Sequence, residues 1–209
     1  MPSPYNMRLI IATNNDSKLK EIKAILKGID CQIISLKQLP RKIRIVENGK
    51  TFAENAVKKA VAVSKLYADD YALGEDSGLE VDFLRGAPGV RSKRYASAGG
   101  DQTKNNRKLL KALANVPEAK RGACFRCTLA LVKNRKVVRI FEGRLRGKIS
   151  TAATGGNGFG YDPVFYLTSY KKTVAQLPLD VKNKISHRAR AFNKLKKYLS
   201  KLSAVSFQL

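Results

Sequence analysis

The first fifty residues alternate between the hydrophobic pattern of a β-strand and that of an α-helix. A β-type pattern covers Leu9–Thr13, apolar residues recur at helical spacing over Ser17–Lys27, and a β-type pattern returns over Cys31–Leu36. Strands that alternate with helices are typical of α/β folds, so this order restricts the architecture more than any other feature. A chain of 209 residues is long enough for one well-buried domain, or one domain with a smaller lobe.

The remaining pattern extends the α/β prediction. We see no internal repeat and no low-complexity linker, so we expect residues 1–209 to form a single domain with an antiparallel lobe. The predicted elements are a long helix over Thr51–Leu66, a short buried strand over Tyr71–Leu73, a helix over Asn105–Leu113, an antiparallel run over Phe125–Val132, Val137–Glu142 and Arg144–Ile149, and a final helix over His187–Leu202.

The charge balance is strongly basic. The chain has 41 Lys and Arg residues against 16 Asp and Glu residues, a formal net charge of +25. Such a surface attracts polyanions, which include nucleic acid, anionic membranes and nucleoside triphosphates. One alternative is therefore a nucleic-acid-binding protein that uses its basic C-terminal helix, although a solvated lysine face explains the same residues. The cations of that helix are Arg188, Arg190, Lys194, Lys196, Lys197 and Lys201.

Cysteine usage and hydropathy limit the compartment. Three cysteines do not make a disulfide framework. Cys124 and Cys127 lie on a predicted strand, where residues three apart face opposite ways, so we expect one buried cysteine and one partly exposed thiol rather than a metal site. No stretch approaches the roughly 18 consecutive apolar residues of a membrane span, and no signal peptide is apparent. We expect a reducing, cytoplasmic location and no membrane partner.

A polar turn follows the first predicted strand. Thr13, Asn15 and Lys18 lie where that strand passes into a helix, and such a turn points free backbone N–H groups at an anion. Asn15 and its polar neighbours also cap helices, so capping explains them about as well as phosphate binding does. Lys18 favours phosphate, because a cation in the first turn opposes the helix dipole unless an anion is present.

Two adjacent carboxylates form the second feature. Glu75 and Asp76 follow the predicted strand Tyr71–Leu73, and we expect them in a short loop at its carboxyl end, where α/β sheets bind ligands. Oxygen ligands close together suit a divalent cation such as Mg²⁺. A solvated turn, or counter-charges for neighbouring lysines, explains the same pair.

Two further segments carry groups that suit a nucleotide. A glycine-rich loop over residues 154–162 contains Phe159 and Tyr161, which offer flat rings for a base, although the loop could be a plain connection. His187, the one histidine in the chain, precedes Arg188 at the start of the last predicted helix, where donors oppose the dipole unless they meet an anion or a carbonyl group.

These segments together resemble one family, the Ham1-like inosine triphosphate pyrophosphatases that act on noncanonical purine nucleoside triphosphates. The resemblance runs from about Leu9 to Ala191. Its motifs are Ala12-Thr-Asn-Asn with Lys18-Leu-Lys-Glu21, residues 47–56, Glu75-Asp-Ser-Gly-Leu79, Gly86-Ala-Pro-Gly89 with Ser92 and Arg94-Tyr95, Gly158-Phe-Gly-Tyr-Asp-Pro163, and Lys182-Asn-Lys-Ile-Ser-His-Arg188.

The resemblance implies an elongated, two-lobed mixed sheet flanked by helices, with the active cleft between the lobes, and a homodimer. It also implies Mg²⁺-dependent hydrolysis of ITP, dITP and XTP to the monophosphate and pyrophosphate, which cleanses the nucleotide pool. Nucleic acid is not an expected partner of this family.

The resemblance also assigns roles to residues. Asp76 would be the base for the attacking water, Lys18 would assist catalysis, and the metal would be held by Glu47, Glu75 and Asp76. The substrate would contact Thr13, Asn15, Lys18, Ser77, Phe159, Gly160, Tyr161, Asp162, Lys182, His187 and Arg188, with the last two near the purine 6-oxo group.

The chain departs from the family pattern at a few positions, and a related family stays open as an alternative. Asn14 and Ser17 replace glycines of the first loop, and Gly74 stands where the family has a small aliphatic residue. The Maf-like pyrophosphatases, which act on modified pyrimidine and 7-methylated nucleotides, are the alternative enzyme family. The motifs around Phe159 and His187 argue against that alternative.

Overall fold

The computed structural model describes residues 7–206, with side chains through residue 202. The predicted alternation of strand and helix is confirmed at the start of the chain. Short 3₁₀ turns connect several of the elements. The strands and helices are β1 (Arg8–Ile11), α1 (Asp16–Ile25), β2 (Gln32–Ser35), α2 (Phe52–Ser64), β3 (Tyr71–Val81), α3 (Gln102–Ala112), β4 (Gly122–Lys133), β5 (Lys136–Ile149), β6 (Phe165–Leu167), β7 (Lys172–Thr173), α4 (Leu179–Ile185) and α5 (His187–Ser206).

A single mixed sheet connects the strands of residues 7–206. Its order is β2-β1-β3-β4-β5-β6-β7. β1 pairs in parallel with both β2 and β3, whereas β6 pairs antiparallel with β5 and with β7. Helix α1 lies between β1 and β2 in the chain, and α2 lies between β2 and β3, whereas a short 3₁₀ turn joins β6 to β7 and the segment 150–164 joins β5 to β6. The predicted α/β class with a mixed sheet is confirmed.

The chain divides into two compact units, and strands β3, β4 and β5 pass from one to the other. Unit 1 comprises the described residues 7–76, 127–143 and 188–206. In it, Leu9 and Ile11 of β1 belong to a core cluster with residues of α1 and α5, while Ile10 belongs to a cluster with residues of α2. Because alternate residues of a strand face opposite ways, β1 is covered on both faces, which explains the apolar run from Leu9 to Ala12.

Unit 2 comprises residues 77–126 and 144–187. Its core cluster joins Leu79 of β3, Leu109 of α3, Phe125 of β4 and Phe165 of β6. Tyr161, from the glycine-rich loop, is part of the same cluster. The loop is therefore anchored in the core of unit 2 by one of its two aromatic side chains.

Three local predictions are wrong. Glu75 and Asp76 are not in a loop, because β3 continues through them to Val81. The predicted strands Val137–Glu142 and Arg144–Ile149 are one strand, β5, which Gly143 does not interrupt. Cys124 is buried like Cys127, so neither is partly exposed, because nearly every residue of β4 is buried and both faces of the strand are covered.

A two-residue turn at Asn134 and Arg135 joins β4 to β5. Asn134 and Arg135 have φ values of 47° and 62°. Two successive positive φ angles match the two-residue turn whose twist suits a β-hairpin. Ser64 of α2 supports the turn, since its Oγ accepts a hydrogen bond from Arg135 N–H at 2.9 Å.

None of the helices within residues 7–206 is both long enough and apolar enough to cross a membrane.

Candidate functional site

The predicted polar turn lies between β1 and α1 in unit 1. Asn15 is the N-cap of α1, and its Oδ1 accepts a hydrogen bond from Lys18 N–H at 3.0 Å. Thr13 Oγ1 accepts one from Asn15 N–H at 3.2 Å. Both acceptors stabilise the turn itself, so the Thr13 hydroxyl hydrogen and the Asn15 amide NH₂ are the groups suited to donate to an anion.

Lys18 has a protein carboxylate as its anion. Its Nζ lies 2.7 Å from Glu75 Oε2, and Glu75 is fully buried on the neighbouring strand β3. The cation in the first turn of α1 is therefore compensated within the protein. Because of this contact, Lys18 does not need a bound phosphate to balance its charge. The contact also brings the polar turn between β1 and α1 next to the acidic pair Glu75 and Asp76.

Glu75 is held by two cations at once. Besides Lys18, Arg188 Nη2 lies 3.2 Å from Glu75 Oε1, and Arg188 Nη1 lies 2.5 Å from Glu21 Oε2. Burial alone would raise the pKa of the Glu75 carboxyl, but Lys18 and Arg188 outweigh it and hold that pKa well below its usual range. Glu75 is therefore a fixed negative charge at any physiological pH.

Asp76, the next residue of β3, has different partners. Lys59 Nζ lies 2.9 Å from Asp76 Oδ1, and Asn55 Nδ2 donates to Asp76 Oδ2 at 3.1 Å. Both partners come from α2, where they are four residues apart and share one side of the helix. Burial raises the pKa of the Asp76 carboxyl above its ordinary value, and the nearby Lys59 and Lys18 offset only part of that effect.

Glu47 reaches the same ammonium group. Its Oε2 lies 2.7 Å from Lys59 Nζ, so Lys59 bridges Glu47 and Asp76. Burial would lower the pKa of Lys59, but the carboxylates of Asp76 and Glu47 outweigh it and raise that pKa. Lys59 thus neutralises the repulsion between two carboxylates that the motifs assign to a metal.

The carboxylates near Lys59 suit a divalent cation that also binds phosphates. Among residues 7–202, no three His, Cys, Asp or Glu side chains are arranged to hold a metal by themselves. Mg²⁺ in nucleotide enzymes takes one or two carboxylates and completes its shell with waters and substrate phosphates. Asp76 and Glu47, which approach one point at Lys59, fit that requirement. Glu75, enclosed by Lys18 and Arg188, fits it less well as a direct ligand.

Close packing of α2 against β3 sets these distances. A Cβ atom placed on Gly74 would lie 1.8 Å from the Ala56 carbonyl oxygen, so only glycine permits the observed approach. Asn55 and Lys59, which flank Ala56 on α2, thereby reach Asp76. The departure from the family pattern at Gly74 has a structural role in this chain.

The glycine-rich loop in unit 2 contains a second buried ion pair. Lys182 Nζ lies 2.6 Å from Asp162 Oδ2, and both side chains are 4% exposed. The same oxygen accepts a hydrogen bond from Phe159 N–H at 2.8 Å. Lys182 Nζ also lies 4.5 Å from the centroid of the Phe159 ring, a cation–π contact. The structure therefore brings Phe159, Asp162 and Lys182 together.

The two rings of the loop differ in exposure. Tyr161 is buried, and its hydroxyl donates to the Ser92 carbonyl at 2.8 Å. Burial raises the pKa of the Tyr161 hydroxyl well above its ordinary value. Phe159 is only half-buried. Phe159 is thus the ring with surface available to a base, and Tyr161 anchors the loop.

His187 and Ser77 are two further predicted site residues. His187 is buried and stacks on Phe125, with ring centroids 4.8 Å apart and planes 17° apart. Ser77 is half-buried in β3, directly after Asp76.

Sequence reasoning missed several residues of the clusters. Glu21, Asn55 and Lys59 are buried polar groups of unit 1, and Gln102 and Asn106 bind the glycine-rich loop of unit 2. The positions of two of these residues in the sequence give a sign that they are buried. Asn55 and Lys59 interrupt the Ala- and Val-rich face of α2 at a spacing of four, which is unusual for residues meant only for solvent.

The chain is similar to proteins of known family. The family model for the Ham1 family matches residues 9–198. The chain is 44% identical over 196 residues to a dITP/XTP pyrophosphatase of Desulforamulus reducens, covering 94% of this chain and 97% of that protein. It is 46% identical over 194 residues to a dITP/XTP pyrophosphatase of Clostridium perfringens, covering 90% and 95%.

Solved structures agree with this similarity. The Ham1 protein of Staphylococcus aureus superposes with a TM-score of 0.84 at 37% identity, covering 93% of this chain and 98% of the other. A HAM1 protein from Coxiella burnetii gives a TM-score of 0.86 at 36% identity, covering 93% and 99%.

Proposed function

Because the chain belongs to the Ham1 family, we propose that it hydrolyses the noncanonical purine triphosphates dITP, ITP and XTP to the monophosphate and pyrophosphate. The observation that carries the proposal is the pair of buried carboxylates on β3, Glu75 and Asp76, one of which pairs with Lys18 of the phosphate-type turn. Family membership also removes the reason for the Maf-like alternative.

The triphosphate would bind at the start of α1. The Thr13 hydroxyl, the Asn15 amide and the free N–H groups of the first helical turn are donors aimed at an anion. Lys18 would contribute its positive charge there while it remains paired with Glu75. Donors fixed before the substrate arrives stabilise the charge of the leaving pyrophosphate without reorganisation.

Mg²⁺ would be held by Asp76 and Glu47 together with the phosphates, while Glu75 supplies negative charge behind them. When bound, the cation neutralises phosphate charge and polarises the phosphoryl oxygens. For Asp76 and Glu47 to take this role, Lys59 must give up part of its contact with both.

Asp76 would orient the attacking water and accept its proton, with Ser77 assisting. Without a bound cation, burial raises the pKa of Asp76 above its ordinary value, so its carboxylate is then a stronger base than an exposed aspartate. Attack at the α-phosphorus forms the new P–O bond to water and breaks the bond to the β-phosphate oxygen. Pyrophosphate leaves with the bonding electrons.

The nucleoside would bind residues of the glycine-rich loop and the Lys182 motif. Phe159 would stack on the base, while the Gly160, Tyr161 and Asp162 backbone and Lys182 surround it. His187 would face the purine 6-oxo group, next to Arg188, whose guanidinium is held by Glu21 and Glu75. Adenine has an amino group at that position, which would strand a donor at a penalty of about 1–3 kcal/mol.

Pyrophosphate release tests the proposal. ITP, dITP, XTP, GTP and ATP are compared side by side, first with Mg²⁺ and then with excess EDTA. We expect fast release from ITP, dITP and XTP, little from ATP and GTP, and loss of activity in EDTA. Equal turnover of ATP and ITP would contradict the substrate class, and full activity in EDTA would contradict the metal.

Assembly and location belong to the same proposal. We expect a homodimer in the cytoplasm, as the family resemblance implies. Light scattering coupled to size-exclusion chromatography measures the mass directly, and a mass of one 23.1 kDa chain would contradict the dimer.

Nucleic-acid binding is a second candidate function, supported by one feature of α5. Arg190, Lys194, Lys197 and Lys201 are exposed cations at spacings of four, three and four, so they form one stripe along the helix. If the stripe neutralises four phosphates, affinity for random-sequence DNA should fall by roughly 100-fold between 50 and 200 mM salt. Fluorescence anisotropy measures this dependence, and salt-independent or absent binding would remove the candidate.

A further inference from the structure

The glycine-rich loop is held by two side chains of α3. Gln102 Oε1 accepts a hydrogen bond from Gly160 N–H. Asn106 Nδ2 donates to the Gly160 carbonyl at 3.0 Å. Gln102 and Asn106 are four residues apart, so they lie on the same side of the helix. Together they bind both backbone groups of a single glycine.

We call the pair Gln102 and Asn106, which binds the N–H and the carbonyl of Gly160, the clamp. One side-chain amide of the clamp accepts a hydrogen bond and the other donates one. A backbone carbonyl can only accept, so the atom of Asn106 that faces it must be the donor Nδ2. A backbone N–H can only donate, so Gln102 must present its acceptor Oε1. The clamp therefore needs an acceptor at position 102 and a donor at position 106.

Gly160 directly follows Phe159, so the clamp acts on that ring. The Gly160 N–H belongs to the planar peptide that joins it to Phe159, and its orientation fixes that plane. On the other side, Phe159 N–H donates to Asp162 Oδ2 at 2.8 Å. The backbone of Phe159 is thus fixed at both ends, and its ring lies against Lys182.

Helix α3 is itself tied to the core near this loop. Asn105, beside Asn106, donates to the Lys93 carbonyl at 2.9 Å and accepts from Ala96 N–H at 2.7 Å. The Tyr161 hydroxyl donates to the Ser92 carbonyl in the same segment. The clamp residues therefore extend from a rigid support.

We propose that Gln102 and Asn106 are positioning residues that hold Phe159 in the orientation in which it receives the purine base. The inference rests on the proposed function and deepens it. Neither side chain needs to touch the substrate. Loss of either contact should weaken nucleotide binding and raise the KM, while kcat, which depends on groups of unit 1, changes little.

Two substitutions of Gln102 distinguish the clamp from an electrostatic attraction between residue 102 and the triphosphate. Gln102→Glu keeps the acceptor but adds a negative charge, whereas Gln102→Lys removes the acceptor and adds a positive charge. Attraction of a triphosphate predicts the lower KM for lysine. The clamp predicts the reverse, with the ITP KM raised about two- to ten-fold by lysine and within about twofold of wild type for glutamate.

A second set of variants tests the Asn106 donor and whether the clamp acts through Phe159. Asn106→Leu keeps the branched shape without a donor and should raise the ITP KM by a similar factor, while Arg107→Ala, an exposed change on the same helix, should not. In a Phe159→Ala background, Gln102→Lys should raise the KM no further. An equal increase in that background would overturn the assignment, as would a lower KM for lysine than for glutamate.

Amide hydrogen exchange at Gly160 tests the clamp without any substrate. Gln102→Lys should speed exchange of this amide by about two- to ten-fold, and Gln102→Glu should leave it slow. Unchanged exchange in Gln102→Lys would overturn the clamp. If exchange responds as expected but the wild-type protein releases no pyrophosphate from ITP, the clamp stands and the purine assignment falls with the proposed function.

Discussion

Glu21→Gln should lower the free energy of unfolding strongly, although Glu21 has no assigned part in the reaction. Glu21 Oε2 lies 2.5 Å from Arg188 Nη1, and the two side chains are 5% and 1% exposed. Lys18 and Arg188 balance the charges of Glu21 and Glu75 in this buried cluster. Glutamine keeps the shape of glutamate but leaves one positive charge uncompensated, which costs about 3–5 kcal/mol when a buried pair is broken.

An exposed pair of the same chemistry provides the control. Arg146 Nη2 lies 2.7 Å from Asp82 Oδ2, but these side chains are 64% and 51% exposed. Solvent screens such a pair, so Asp82→Asn should cost no more than about 1 kcal/mol. At about 2–4 °C per kcal/mol for a chain of this size, Glu21→Gln should lower Tm by roughly 6–20 °C and Asp82→Asn by at most about 4 °C.

Urea unfolding of both variants, followed by circular dichroism, gives the free energies that the melting temperatures only approximate. The two ion pairs are similarly close, at 2.5 and 2.7 Å, so burial is what distinguishes them. Equal losses of stability in the two variants would therefore refute the role of burial. A loss below about 1 kcal/mol in Glu21→Gln would show that the cluster relaxes or admits water when one charge is removed.

Three further substitutions test the site. Asp76→Asn should lower kcat by about 100-fold or more while nucleotide binding survives, because a positioned base is lost. Steady-state kinetics with ITP measures the change, and ordinary turnover would show that Asp76 has another role. Phe159→Ala should raise the ITP KM about 5- to 100-fold through lost stacking with little change in kcat, and an unchanged KM would place the base elsewhere. Gly74→Ala should destabilise the protein by about 1–3 kcal/mol and reduce turnover, because α2 must move away from β3. Gly99→Ala, where an added Cβ meets open space, is the control and should change neither property. Thermal unfolding and activity assays measure both variants.

The elements that could be predicted from the sequence are those fixed by local pattern. The alternation over β1, α1 and β2, the helix α2 after its Thr51 cap, and the hairpin at Asn134-Arg135 all follow from spacing and turn chemistry. The motifs also identified side chains that the structure brings together, such as Lys18 with Glu75 and Asp162 with Lys182.

The course of β3 could not be predicted for a physical reason. Two adjacent carboxylates ordinarily indicate a loop, because burying them without partners is costly. Here the partners come from distant positions, Lys18 for Glu75 and Lys59 for Asp76. The place of Lys59 on the apolar face of α2 indicates that it is buried, but the local sequence does not identify the carboxylate that it meets. Only tertiary packing shows that the strand can continue through both acids.

The strand conformation has a chemical consequence that a loop would not have. Adjacent residues of a strand face opposite ways, so Glu75 and Asp76 meet different sets of partners. Glu75 contacts Lys18 and Arg188, and its pKa falls, whereas Asp76 contacts Asn55 and Lys59 of α2, and its pKa rises. Environments that push two carboxyl pKa values apart assign them different tasks. Glu75 is suited to remain a fixed charge that orients cations, and Asp76 is suited to accept a proton, so one extended strand separates the two roles proposed for the acidic pair.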